Sequence, residues 1–221
     1  MEPDFWHARW QSETIGFHKS EINRYLKNYV NELALVSGDT IFVPLCGKSL
    51  DMWWLHEQGF KVIGIELSDI AANSFFAEAG KKAVKTQRGN FNSWAFADVE
   101  ILCGDYFKLD INILGKVDAV FDRAALIALP EKIRKKYVTQ LGSLLPVGAR
   151  GLLVTLEYPQ EEMTGPPFSV SEHEVKELYA SEFDLEFIDG HDVIDENSHF
   201  RDCGLTSLFE KIYRFQKNNS S

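Results

Sequence analysis

Short apolar segments alternate with segments of helical character along most of the chain. Apolar runs predict strands over residues 40–45, 61–66, 99–103, 117–122 and 151–156. Helical spacing predicts helices over residues 21–35, 50–58, 69–79, 131–145 and 171–181. The expected caps are Ser20 for the first of these helices, Ser68 or Asp69 for the third, and Ser171 with Glu174 for the last. Short apolar strands separated by helices are typical of a parallel sheet that is covered on both faces.

The C-terminal part predicts two more strands, over residues 183–188 and 208–215. The second strand alternates in polarity, which favours an antiparallel strand with one wetter face. We therefore predict one α/β domain over residues 1–221. It is expected to be doubly wound, with a mostly parallel seven-stranded sheet, helices on both faces and an antiparallel C-terminal strand (Rossmann-like). Residues 1–19 are expected to form an N-terminal aromatic lid segment without helical or strand period, or alternatively an extended arm packed on the sheet. Residues 80–98 are expected to form an inserted loop or small helix.

Composition narrows the class of protein. The chain has 221 residues, 45% of them hydrophobic, and a formal net charge of −10. This acidic balance disfavours nucleic-acid binding and a polybasic membrane anchor. No apolar run approaches the roughly 20 residues that span a bilayer, and the three cysteines form no CxxC pair. We therefore expect a cytoplasmic, monomeric protein, and the histidine spacing predicts no metal site.

The first strand-to-helix turn limits the ligand. Ligands of open α/β sheets bind beyond the carboxyl ends of the strands. The turn Cys46-Gly47-Lys48-Ser49 resembles the end of a phosphate-binding loop. That pattern requires another glycine five residues before Gly47, and this position is occupied by Phe42. The GxGxxG fingerprint of dinucleotide-binding proteins is absent as well. These features favour a nucleoside ligand without phosphates over NAD, FAD or ATP, and they disfavour a dehydrogenase.

Charged residues follow three predicted strands. Glu66 ends the second strand, and its distance from Gly47 matches the ~20 residues that place an acid on ribose hydroxyls; the alternative is an exposed strand end or a helix cap. Asp105, after Gly104, is placed to meet an adenine ring, although such turns are common after strands. Asp122-Arg123 either faces the ligand crevice or forms an ion pair that only shapes its loop.

Several segments together carry a resemblance to a known family. They are Phe5-Trp6-His7-Ala8-Arg9-Trp10, Gly16-Phe17-His18, the stretch from Val43 to Met52, Gly64-Ile65-Glu66-Leu67-Ser68, Gly104-Asp105-Tyr106-Phe107, Asp122-Arg123-Ala124-Ala125-Leu126 and Leu208-Phe209-Glu210-Lys211. The chain resembles the class I S-adenosylmethionine-dependent methyltransferases, and more closely the thiopurine S-methyltransferase family in its bacterial form. The Pro-Leu-Cys-Gly-Lys-Ser stretch is distinctive, because most methyltransferases have a more glycine-rich turn there.

The resemblance implies a cofactor and the residues that hold it. The cofactor is S-adenosyl-L-methionine, and the product is S-adenosyl-L-homocysteine. The residues implied to bind it are Trp6 and Trp10, which cover it, Leu45, which lies against it, Glu66 at the ribose, Asp105 and Tyr106 at the adenine, and Arg123 at the active site.

The resemblance also implies substrate contacts. Phe17 corresponds to a residue that lines the thiopurine pocket, and Arg123 is expected to be catalytic and to contact the substrate. The family has a further substrate-binding arginine near the C-terminal strand. Arg201 is the candidate for it here, although His199 aligns with that position when no gap is introduced.

The implied reaction is an in-line displacement at an activated methyl group. A heterocyclic thiol is acidic enough to ionise near neutral pH, so no dedicated base is needed. We therefore expect methylation of the sulfur of a thiol such as 6-mercaptopurine. Selenium or tellurium oxyanions, halide and small thiols are alternative acceptors on the same scaffold, and a non-catalytic nucleoside-binding module is an alternative of another class.

Overall fold

A computed structural model describes residues 3–12 and 21–219. Phe17, expected in the substrate pocket, and Ser20, expected as a helix cap, lie outside the described residues. The chain divides into two compact units, Met1–Phe121 and Asp122–Ser221. The prediction of a single domain over residues 1–221 stays a prediction.

The first unit begins with helices and continues with alternating strands and helices. Its helices are α1 (Pro3–Gln11), α2 (Arg24–Tyr29), α3 (Asp51–Glu57), α4 (Asp69–Glu78) and α5 (Ile111–Leu114). Its strands are β1 (Thr40–Val43), β2 (Lys61–Glu66), β3 (Val84–Arg88), β4 (Phe91–Phe96), β5 (Val99–Cys103) and β6 (Ala119–Arg123), which begins in this unit. Two 3-10 turns complete it, Val30–Leu33 and Tyr106–Lys108.

The strand order in the first unit is β3-β4-β5-β2-β1-β6. Strand β1 is parallel to β2 and β6, and β2 is parallel to β5. Strands β1 and β2 have neighbours on both sides, and their apolar side chains are almost fully buried; Ile41, Phe42 and Ile65 are inaccessible to solvent. The carboxyl ends of β1, β2 and β5 therefore lie side by side at one edge, where Glu66 ends β2 and Asp105 follows β5.

Residues 80–98 do not form the expected loop or small helix. They contain the antiparallel hairpin β3–β4, which extends the sheet beyond β5. The hairpin is held by cross-strand and inter-element contacts: Lys85 lies 4.7 Å above the Trp94 ring and Arg88 pairs with Glu100 at 2.7 Å. Strand β3 is mostly exposed and lacks an apolar run. The hydrophobic pattern therefore carried little signal for it.

Within the N-terminal aromatic segment, residues Pro3–Gln11 form a helix. Helix α1 starts at Pro3, a residue favoured at the first helical position, and carries Asp4 in its first turn. Its apolar residues follow no helical period, which concealed it. Helix α2 begins later than predicted, because the Asn23 side chain accepts hydrogen bonds from the N–H groups of Tyr25 and Leu26.

The second unit contains a three-stranded antiparallel array. Its helices are α6 (Glu131–Leu144), α7 (Glu172–Tyr179) and α8 (Ser198–Asp202), and its strands are β7 (Arg150–Glu157), β8 (Phe183–Asp192) and β9 (Phe209–Lys217). Strand β9 lies between β7 and β8 and is antiparallel to both. Short 3-10 turns lie at Leu126–Ala128, Gln160–Glu162 and Ile194–Glu196.

The α/β class is confirmed, but the strand number was wrong. The described residues form nine strands and not seven, because the hairpin β3–β4 was not predicted. Strands β5, β2, β1 and β6 pair in parallel, whereas the β3–β4, β4–β5, β7–β9 and β8–β9 pairs are antiparallel. Among the described residues, no helix combines the length and the apolar character needed to cross a bilayer.

The predicted cap of α7 is confirmed and gives a stability prediction. The Ser171 hydroxyl accepts a hydrogen bond from the Glu174 N–H at 3.2 Å. Ser171→Ala leaves that N–H without its cap, so we expect a loss of about 1 kcal/mol in the free energy of unfolding, measured by urea denaturation. Ser143→Ala is the control, because this exposed serine lies inside α6; a change within about 0.5 kcal/mol is expected. Equal effects of the two variants would contradict a stabilising cap.

Candidate active site

Glu66, at the end of β2, is a buried carboxylate that is held by backbone hydrogen bonds. Its side chain is only 6% exposed. One carboxylate oxygen accepts from the Gly47 N–H at 3.0 Å, and the other accepts from the Ser68 N–H at 2.9 Å. Burial raises the pKa of this carboxyl group, and the hydrogen bonds that it accepts lower it. The alternative of an exposed strand end is therefore wrong, and the cap of α4 is Ser68 rather than Glu66.

The turn after β1 brings its backbone towards this carboxylate. Leu45 and Gly47 both have positive φ, at 46° and 52°. The left-handed region costs a residue with a side chain roughly 1–2 kcal/mol, so Leu45 is held there by its surroundings. The Cys46 N–H donates to the Ile65 carbonyl at 2.9 Å, which fixes the turn against the end of β2. Leu45 thus lies in the same turn whose Gly47 N–H meets Glu66.

Trp10 joins this group from helix α1. Its side chain hydrogen-bonds to the Glu66 carboxylate, and indole has only an N–H to donate. A Cβ atom added to Gly47 would lie 3.3 Å from the Trp10 ring, so the ring packs against that glycine. Trp10 is 6% exposed. Trp6 is half-buried and packs edge-on against Phe5, with 5.2 Å between the ring centroids.

The turn after β5 lies beside Glu66 as well. The Gly104 N–H donates to the backbone carbonyl of Glu66 at 2.9 Å. Asp105 caps the following 3-10 turn, because its carboxylate accepts from the Phe107 N–H at 2.9 Å. Tyr106 is buried and packs edge-on against Phe107. The structure therefore brings Trp10, Leu45, Glu66, Asp105 and Tyr106 to one edge of the first unit.

The two cysteines at this edge are not activated. Cys46 and Cys103 are buried, and burial raises the pKa of both thiols, with a further increase from the Glu66 carboxylate. A nucleophilic cysteine needs a lowered pKa. Both residues therefore pack as small apolar side chains. Among the residues that the structure describes, no group of three or more His, Cys, Asp or Glu side chains is arranged to hold a metal ion.

The second unit contains the predicted Asp122-Arg123 pair at the end of β6. Asp122 is inaccessible to solvent, and its carboxylate accepts from the Tyr137 hydroxyl at 2.6 Å and from the Leu126 N–H at 3.4 Å. Arg123 is half-buried. The two neighbouring residues therefore differ in environment: the acid is enclosed, and the arginine lies closer to solvent.

Burial raises the pKa of Asp122 to about 6. The folded protein thus binds this proton more tightly than the unfolded chain does. The stability that comes from Asp122 is present below about pH 4 and is lost as the pH rises through about 6. We expect the difference in free energy of unfolding between the wild type and Asp122→Asn to fall from pH 4 to pH 6.5, measured by urea denaturation. Taking the difference removes the contributions of the ionisable groups that both proteins share. A difference that rises with pH would contradict the raised pKa of Asp122.

The predicted C-terminal substrate contact lies on α8. The Arg201 guanidinium is paired with the Asp195 carboxylate, and both side chains are more than half exposed. His199 is exposed, and its ring packs against Phe200 with 5.6 Å between the centroids. Arg201 therefore has an acidic partner that an anionic substrate would have to replace.

An apolar cluster that sequence analysis missed lies near α8. Its buried members are Tyr158, Val193, Ile194, Leu205 and Leu208, with Leu156, Met163 and Phe200 packed against them. These residues come from loops, strand ends and short helical turns, where no periodicity marks them as core. Their only signal is the presence of large apolar residues between polar ones. Phe17, the other predicted substrate contact, lies outside the described residues.

Comparison with known proteins agrees with this architecture. The family model described as Thiopurine S-methyltransferase (TPMT) matches residues 1–218. A thiopurine S-methyltransferase of Pseudomonas entomophila (strain L48) is 45% identical over 217 residues, which are 98% of this chain and 100% of that protein. One of Nitrosospira multiformis is 45% identical over 213 residues, which are 96% of this chain and 97% of that protein.

Solved structures show the same fold at low sequence identity. A 1,6-didemethyltoxoflavin-N1-methyltransferase of Burkholderia thailandensis, with bound S-adenosylhomocysteine, superposes with a TM-score of 0.64 at 15% identity, covering 98% of this chain and 87% of that chain. The mycolic acid cyclopropane synthase CmaA1, complexed with SAH, gives a TM-score of 0.62 at 14% identity, covering 87% of this chain and 82% of that chain.

Proposed function

The chain belongs to the thiopurine S-methyltransferase family, and we propose that it transfers the methyl group of S-adenosyl-L-methionine to the sulfur of an aromatic or heterocyclic thiol such as 6-mercaptopurine. The observation that carries this proposal is the buried Glu66 carboxylate, which is held between the Gly47 and Ser68 N–H groups at the strand ends. A carboxylate there accepts hydrogen bonds from the hydroxyl groups of a ribose.

The residues at this edge fit an adenosyl cofactor. Gly47 lets the backbone turn tightly beside Glu66, and a side chain there would press on Trp10. The turn offers one glycine and not the several that a pyrophosphate requires, which suits a nucleoside without phosphates. Glu66 would hold the ribose, and Asp105 and Tyr106 the adenine. Leu45, Trp6 and Trp10 would cover the cofactor from the first turn and from α1.

The proposed chemistry needs little from the protein beyond placement. S-adenosylmethionine supplies a methyl group that is already activated by its sulfonium charge. Arg123 would pair with the anionic thiol, and the aromatic residues of α1 would exclude water. Positioning two reactants in line accounts for up to ~7–11 kcal/mol of a barrier. The raised pKa values of Cys46 and Cys103 leave the acceptor, not a protein thiol, as the nucleophile.

The acceptor class is tested by methyl transfer from labelled S-adenosylmethionine to a panel of acceptors. The panel contains 6-mercaptopurine, an aliphatic thiol, selenite, tellurite and iodide. Hypoxanthine, which has oxygen where mercaptopurine has sulfur, is the matched control. We expect the highest kcat/KM for 6-mercaptopurine and no transfer to hypoxanthine. Preference for an oxyanion, iodide or the aliphatic thiol would overturn the acceptor class, and no transfer to any member would overturn the proposed activity.

A further inference from the structure

We propose that Asp122 and Tyr137 form a positioning pair that fixes the turn carrying Arg123 and thereby directs its guanidinium towards the acceptor. The inference rests on the proposed function, in which Arg123 contacts the acceptor. It gives a role to a buried carboxyl group that neither the cofactor site nor the chemistry otherwise uses.

The hydrogen bonds of Asp122 connect three elements of the second unit. One carboxylate oxygen accepts from the Tyr137 hydroxyl of α6 at 2.6 Å. The other accepts from the Leu126 N–H at 3.4 Å, and the Ala125 N–H also bonds to this carboxylate. Asp122 and Tyr137 are both fully buried. The end of β6, the turn after it and helix α6 are therefore joined through one side chain.

The turn needs this support because its backbone is strained. Ala124, directly after Arg123, has a φ of 68°. The left-handed conformation costs a non-glycine residue roughly 1–2 kcal/mol, so it persists only when its surroundings determine it. The 3-10 turn that follows is also held from outside, since the Phe168 N–H donates to the Ile127 carbonyl at 2.7 Å. Arg123 lies between the strand end and this constrained segment.

A simple capping role accounts for only part of the arrangement. An amide oxygen would accept the turn N–H groups without the free-energy cost of burying an ionisable carboxyl group. Asp122 is nevertheless a buried carboxyl group. Its hydrogen bond with the Tyr137 hydroxyl, at 2.6 Å, is shorter than the one with the Leu126 N–H of the turn, at 3.4 Å. The short bond to a rigid ring inside α6 fixes the carboxylate, and through it the position of the Arg123 backbone.

Tyr137→Phe tests the pair, because it removes one oxygen atom and keeps the ring. We expect kcat for 6-mercaptopurine to fall about 10- to 100-fold, the loss typical of a small misplacement of a reacting group. Binding of 6-mercaptopurine to the complex with S-adenosylhomocysteine should weaken in calorimetry, while the Kd of S-adenosylhomocysteine is unchanged. Amide hydrogen exchange at Ala125 and Leu126 should accelerate.

Two further variants make the result decisive. Tyr179→Phe changes another fully buried tyrosine, on α7, and is expected to keep wild-type kcat and KM. Asp122→Asn keeps the side-chain volume and is expected to lower kcat and weaken acceptor binding as Tyr137→Phe does. Wild-type kcat, KM and acceptor affinity in folded Tyr137→Phe and Asp122→Asn would overturn the positioning role. An inactive wild type would instead overturn the proposed function, so the two failures are distinguishable.

Discussion

Arg123→Ala is expected to lower kcat/KM for 6-mercaptopurine by roughly 10²–10³-fold, the loss seen when one group that stabilises charge in an active site is removed. The proposed role explains the size, because the anionic sulfur would lose the cation that orients it. Arg123 is half-buried at the end of β6. Its removal should therefore change the melting temperature little. Steady-state kinetics and a thermal unfolding curve measure the two effects.

Two control variants test whether the loss of kcat/KM is specific to the Arg123 side chain. Arg214→Ala removes another partly exposed arginine of the second unit, one that pairs with Glu186. Such an ion pair contributes about 0–1 kcal/mol to stability, and kcat/KM should stay at the wild-type value. Arg123→Lys keeps the charge without the planar fork, so it should restore part of the activity. Wild-type turnover in Arg123→Ala would remove this residue from the mechanism.

Glu66→Gln is expected to weaken the affinity for S-adenosylhomocysteine by about 1.5–3 kcal/mol, which is roughly a 10- to 150-fold increase in Kd. The reason is the loss of charged hydrogen bonds to the ribose hydroxyls. The amide also replaces one acceptor oxygen with an NH2 group, which then faces the Gly47 or Ser68 N–H. We therefore expect a lower melting temperature too. Isothermal titration calorimetry of the folded variant measures the affinity.

Glu100→Gln is the matched control for Glu66→Gln. Glu100 is a half-buried carboxylate of β5 in the same unit, where it accepts a hydrogen bond from the Ser93 hydroxyl and pairs with Arg88. Its replacement should affect stability but leave the Kd of S-adenosylhomocysteine unchanged. Equal Kd values for the two variants would show that Glu66 does not hold the ribose, whatever their melting temperatures.

The sequence by itself determined the alternating part of the fold. Strands β1, β2, β5, β6 and β7 and helices α3, α4, α6 and α7 lie close to their predicted positions. A strand that is buried on both faces is apolar along its length. A continuous apolar run therefore identifies such a strand from the local sequence, without knowledge of its neighbours. The placement of Glu66 was readable for a similar reason, because strand and helix lengths set the spacing between consecutive strand ends.

The tertiary structure alone decided the features that depend on distant partners. The strands β3 and β4 exist through pairing with each other and with β5. The contact of Trp10 with Glu66 and the bond between Asp122 and Tyr137 join segments whose local patterns carry no sign of one another. Periodicity reports which side of an element is buried, whereas the choice of partner depends on how separate elements pack. The chain pattern therefore predicted where the polar residues lie, and packing determined what each of them contacts.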